Sequence, residues 1–156
     1  MHRHEIYSAH NYPTQKLKEF CAFLEAQEPV DNNGGGGYHA LGLATFGPVG
    51  VDVHKTEQYG RILPTTPKES WRNVDILTPL RAACQGSGRE LAFQVETDVN
   101  APALAEYLQE MEADTNNPNR NPNHNNIPIS SLAYVTVGTG VGVGLIVNGK
   151  PVHGRM

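Results

Sequence analysis

Cysteine, tryptophan and long apolar runs are all scarce in this 156-residue sequence. The two cysteines, Cys21 and Cys84, form no Cys-x-x-Cys pair, which excludes a zinc ribbon or a thioredoxin-type motif. They read as buried thiols of a reduced, cytoplasmic protein, and the lack of any Asn-x-Ser/Thr sequon agrees. No apolar run approaches the roughly 20 residues of a membrane-spanning helix. The start, Met1-His2-Arg3-His4-Glu5, has none of the apolar stretch of a signal peptide. Basic residues are too few for a phosphate-backbone footprint: net charge is −4, with no basic stripe, so nucleic acid is excluded as a partner. His2, His4 and His10 have neither cysteine partners nor helical spacing and read as a solvated leader, so no metal site is assigned. Hydrophobic residues make up 38% and charged residues 18%, both low, because Gly, Pro and Asn fill the difference.

What is present alternates between helix and strand signals. Leu17, Phe20, Cys21 and Leu24 recur at helical spacing, with Thr14 as a cap and Pro29 beyond the end. The run Gly34 to Gly37 predicts a flexible loop. Tyr38 to Phe46 reads as a buried strand, broken by Gly47-Pro48, and Tyr59 to Leu63 as a short hairpin strand. Pro64 and Pro67 impose an extended path. Thr78-Pro79 suits a cap and first helical position, with Leu80, Ala83 and Cys84 as the apolar face and Gly86 and Gly88 as the stop. Leu91 to Val95 is a strand; Leu104, Tyr107, Leu108 and Met111 mark a further helix. The stretch from Asp114 to Pro128, rich in Asn and Pro, has no periodicity and predicts disorder or a solvated insertion. Leu132 to Val137 and Leu145 to Val147 are strands, and Asn148-Gly149 is a hairpin-turn signal. The alternation implies an α/β architecture. The expected division is 1–113 for a partial N-terminal domain, 114–130 for the insertion and 131–156 for the start of a second domain.

Two segments carry chemistry. Thr136 to Gly144 places a glycine at every second position from Gly138 to Gly144. It is no dinucleotide fingerprint, because Val143 stands at the third glycine and a strand follows instead of a helix. It is no P-loop, because Gly-Lys-Ser/Thr is absent. Two readings remain: a hairpin whose backbone N–H groups approach phosphate oxygens, aided by the Thr139 hydroxyl, or one in which glycine permits close packing. The second segment, Val95-Glu96-Thr97-Asp98-Val99-Asn100-Ala101-Pro102, sets Asp98 just past a strand's carboxyl end, where open α/β sheets bind ligands. Asp98 also suits a helix cap, as does Asn100; if Asn100 caps, Asp98 is left for other work.

Three ordered segments together resemble the ROK family of sugar kinases, and its fructokinase branch above all. They are Gly42 to Asp52 leading through Thr65-Thr66-Pro67-Lys68 to Trp71, then Thr97 to Glu106, then Val135 to Gly142. The resemblance covers roughly residues 40 to 155 apart from the Asn-rich stretch. It implies a partial actin-like, ribonuclease-H-like ATPase fold and ATP-dependent phosphorylation of a hexose. Asp98 matches the family's catalytic base. Gly138, Thr139 and Gly140 match its phosphate hairpin, and Thr66 and Lys68 lie in the segment that reaches toward the sugar. Thr97 stands where the family usually has a sugar-holding Asn, and with the Phe-Gly-Pro and Thr-Pro-Lys stretches it favours fructose. ATP and Mg2+ are the implied cofactors, with zinc expected only in a complete member and a homodimer expected of the complete protein.

The family's Asp-Gly-Gly-Thr turn and its His/Cys segment have no counterpart in the sequence. The expectation is therefore a sequence truncated at both ends and inactive by itself. Two other readings stay open: a non-catalytic sugar sensor, for which residues 1 to 37 lack a second DNA-reading helix, and an inactive remnant.

Overall fold

The computed structural model describes residues 13–29, 36–85, 90–115, 129–138 and 140–154, with only the backbone for 113–115. The N-terminal histidines, Gly34 and Gly35, the Gly86 and Gly88 helix stop, Thr139 and the Asn-rich residues 116–128 lie outside the described residues. The elements run α1 (Pro13–Ala26), β1 (Ala40–Thr45), a 3₁₀ turn (Glu69–Trp71), α2 (Leu77–Cys84), β2 (Ala92–Thr97), α3 (Asn100–Thr115), β3 (Ser131–Val137), β4 (Val141–Val147) and β5 (Lys150–Pro151). β1 and β2 form a two-stranded sheet; β3, β4 and β5 form a three-stranded one in that order. No helix among the described residues is long and apolar enough to cross a membrane.

The chain divides into two compact units, Met1–Glu96 and Thr97–Met156. The sequence reading groups α3 and Asp98 with the first domain. In the structure α3 packs on β3, β4 and β5 instead, so Asp98 travels with the Gly-rich hairpin. The physical reason lies in the apolar face of α3, whose Ala103 and Tyr107 are buried together with Ile146 of β4.

In the first unit Val49, Ile62, Ile76, Leu77, Leu80 and Val95 form the core, with Leu17, Cys21 and Leu24 of α1 packed at its side. α1 begins at Pro13, a favoured first helical residue, so Thr14 lies inside the helix and does not cap it. α2 likewise contains Thr78; its amide and hydroxyl both donate to the Asp75 carboxylate, at 3.0 and 2.8 Å, and Asp75 does the capping. β1 alternates exposed and half-buried residues and is not the buried strand its composition suggests; among the described residues it pairs with β2 alone. The segment from Tyr59 to Leu63 makes isolated bridges, Val49 with Ile62 and Gly50 with Tyr59, not a continuous strand. Pro64 and Thr65 form a turn, not an extended path. Cys21 and Cys84 are free thiols.

In the second unit the β3–β4 register pairs Val137 with Val141 and Val135 with Val143. Side chains alternate across a strand. Leu132, Tyr134 and Ile146 face α3, while Val135, Val137, Val141 and Val143 are exposed. Ile146 is fully buried, which is worth roughly 1.5–3 kcal/mol. Asn148 and Gly149 both have positive φ, 51° and 76°, as the hairpin turn requires.

Candidate active site

In the first unit the Gly47–Pro48 peptide is cis and opens a loop stitched to the segment behind it. The Leu63 amide donates to the Pro48 carbonyl at 2.8 Å. Thr66 is buried, 1% exposed; its hydroxyl donates to the Gly47 carbonyl at 3.3 Å and accepts the Lys68 amide at 3.4 Å. The Arg72 guanidinium donates to the Thr66 carbonyl. Thr66 therefore shapes the loop from inside, with its hydroxyl committed to protein. Lys68 is exposed, its ammonium 3.7 Å from the centre of the Phe46 ring, and Phe46 meets Trp71 edge-on at 5.4 Å. At an exposed site such a cation–π contact contributes about 0.5–1 kcal/mol. It holds the cation at the mouth of an open groove of about 270 Å³ between α1, the end of β1 and Trp71.

In the second unit β2 ends at Thr97 and a two-residue turn leads into α3. The Thr97 hydroxyl accepts the Asn100 amide at 3.1 Å, which satisfies one of the donors left over at a helix start. Thr97, a substrate-binding residue in the sequence reading, thus also caps α3, and neither Asp98 nor Asn100 does that job. Asp98 is exposed, and no hydrogen bond or ion pair among the described residues engages its carboxylate. Glu96, two residues earlier, is buried.

Asn100 does something the sequence reading misses. Its side chain is buried and inserted between β4 and the chain after β5. The Leu145 amide donates to Asn100 Oδ1 at 3.2 Å, and Asn100 Nδ2 donates to the Val152 carbonyl at 3.2 Å. An Asn ahead of a helix signals a cap; only the strand opposite reveals the second use.

The four glycines of the hairpin divide into two pairs. A Cβ on Gly144 would collide with the Val99 carbonyl and lie 3.0 Å from the Ala103 Cβ; one on Gly142 would meet Val99 Cγ1 and Thr136 Oγ1 at 2.8 Å. These glycines let the turn carrying Asp98 rest directly on β4. A Cβ on Gly138 or Gly140 would meet nothing within 4 Å. Among the described residues, no close contact demands glycine at these two positions. The Gly138 amide donates to the Gly140 carbonyl at 2.9 Å. Asp98, Thr97, Gly138 and Gly140 thus share one unit, and Thr66 and Lys68 belong to the other.

The described residues thus form an α/β chain with an exposed carboxylate at a strand end and a glycine-tipped hairpin. The whole chain, residues 1–156, matches the ROK family and belongs to it. Among curated proteins it is 36% identical over 117 residues to a fructokinase of Zymomonas mobilis subsp. mobilis, covering 75% of this chain and 32% of that protein. It is 34% identical over 115 residues to a putative fructokinase of Bacillus subtilis, covering 74% and 31%. A fructokinase of Pediococcus pentosaceus is 36% identical over 78 residues, covering 50% and 25%. The chain spans about a third or less of the length of these relatives. No solved structure matches it.

Proposed function

We propose that this chain belongs to a sugar kinase that transfers the γ-phosphoryl group of ATP to a hexose hydroxyl, with D-fructose the preferred acceptor. The observation that carries the reading is the state of Asp98. Its carboxylate is exposed at the end of β2, while Thr97 meets the helix's need for a cap. A carboxylate so placed orients a sugar hydroxyl and accepts its proton as the oxygen attacks phosphorus. The P–O bond to ADP then breaks in line with the forming bond. The fructokinases among the relatives support the choice of acceptor.

The tip from Gly138 to Gly140 is the phosphate-binding element of this proposal, with Thr139 adding a hydroxyl donor. Its glycines leave the backbone open to a ligand, and the Gly138 amide would exchange its bond to Gly140 for one to a phosphate oxygen. Mg2+ bound with ATP would supply charge neutralisation on the transferring group. Among the described residues no group of three or more His, Cys, Asp or Glu could hold a metal ion. Lys68 reaches the sugar side in this reading, and Thr66 serves by shaping the loop from which Lys68 projects. A cytoplasmic, homodimeric complete protein fits the same reading.

The test is ATP-dependent phosphorylation of fructose by the full protein, with and without Asp98→Asn. The amide keeps the size and most hydrogen bonding of the carboxylate but accepts no proton. Turnover falls by roughly 10²–10⁴-fold, while fructose and ATP affinities change little. Near-normal turnover in Asp98→Asn removes the base assignment.

A further inference from the structure

We infer that Asn100 is a positioning residue that replaces a missing peptide in the β4–β5 ladder and thereby fixes the Asp98 turn to β4. The ladder pairs Ile146 with Pro151 and Val147 with Lys150, and then the strand ends. One step on, the Val152 amide still donates to the Leu145 carbonyl at 2.8 Å. The return bond of that pair, from the Leu145 amide to the Val152 carbonyl, is replaced. The Asn100 carboxamide sits in its place, accepting from Leu145 and donating to Val152.

A carboxamide is the side chain that fits, because it offers an acceptor and a donor in one plane, as a peptide does. Both backbone groups are satisfied, and the side chain that satisfies them opens α3. Asp98 lies two residues ahead of it. Gly144 completes the arrangement by letting the Val99 carbonyl lie against β4, and the Ala103 amide closes the first turn on that same carbonyl at 3.2 Å. The turn is thus tied to β4 by a polar clamp and by close contact. Its catalytic meaning, that the base is held in fixed register with the hairpin, rests on the kinase reading; the clamp itself does not.

Amide hydrogen exchange, read residue by residue on the full chain, tests it. Asn100→Ala should lower protection of the Leu145 and Ala103 amides by roughly tenfold or more, the scale of one lost buried hydrogen bond. Ile146→Val serves as a control of comparable stability loss that leaves the clamp in place, and should spare that pair relative to the rest of the unit. Asn100→Asp separates hydrogen-bond complementarity from mere volume. A protonated carboxyl has both an acceptor and an O–H donor, whereas the ionised form has no donor for the Val152 carbonyl. Protection in Asn100→Asp should therefore recover toward wild type as the aspartic acid protonates on acidification. Unchanged Leu145 protection in Asn100→Ala overturns the inference. So does equal loosening in Ile146→Val, or an Asn100→Asp profile that does not recover. Exchange needs no turnover, so a wild-type protein that phosphorylates no fructose sinks the kinase reading, a silent Asp98→Asn sinks the base assignment, and either leaves this result standing.

Discussion

The paired strands and the tip of the β3–β4 hairpin carry the same residue for different reasons. Within the strands, Gly142 and Gly144 are glycine because a Cβ there would meet Val99, its Cγ1 from Gly142 and its carbonyl from Gly144. At the tip, a Cβ on Gly138 or Gly140 would face open space. A third case closes the next turn: Gly149, at φ +76°, is glycine for its conformation, with only ordinary contact around it. A repeat that looks uniform in sequence thus divides into glycines that the fold needs and glycines it does not. Of the two sequence readings of the motif, close packing accounts for Gly142 and Gly144, and phosphate approach is the proposal for the tip.

Substitutions can break this comparison. Gly144→Val should cost most: the side chain collides with backbone and with Ala103 on α3, so the strand or the helix must move. A loss of about 3 kcal/mol or more is expected in denaturant unfolding, at the upper end of overpacking effects. A loss under about 1 kcal/mol would mean that the turn does not rest on β4. Gly149→Ala should come next, at about 1–2 kcal/mol, the penalty of placing a Cβ in the left-handed region. Gly140→Ala should be smallest for the fold, within about 0.5 kcal/mol, as befits an exposed site without such a demand. Its effect belongs elsewhere: titration with Mg-ATP should show weaker binding in Gly140→Ala than in the wild type. Equal nucleotide affinity in the two would return the tip glycines to the unexplained.

The fold was legible where the pattern was local. The periods of α1 and α3, the strands β3 and β4, and the Asn148-Gly149 turn follow from spacing and side-chain type. Helix starts were less legible. Thr14, Thr78 and Asn100 each read as a cap, and the structure gives each another place. The capping oxygens described here come from Asp75 and Thr97, which lie earlier in the chain than the residues that first attract attention. Cap signals are degenerate because several short polar residues serve, and which one turns inward depends on what lies opposite.

The site divides along the same line. The place of Asp98 just past a strand end was legible, because strand, turn and helix follow one another directly in sequence. Thr66 was legible only as part of a motif. That its hydroxyl is buried against Gly47 depends on two loop segments meeting, which no local pattern encodes. The place of α3 was likewise not local: its sequence says that it has an apolar face, not which sheet that face will cover.

By itself, then, the sequence determined the kinds of element, the one-sided faces of α3 and β4, and the order of motifs that marks a ROK chain, since each depends on neighbours a few residues apart. Tertiary structure alone decided that Asn100 fills a gap in a ladder 45 residues away, and that Gly144 is small for the sake of Val99. Those outcomes are set by which surfaces meet, and a buried amide or a missing side chain acquires its role only from the group placed against it.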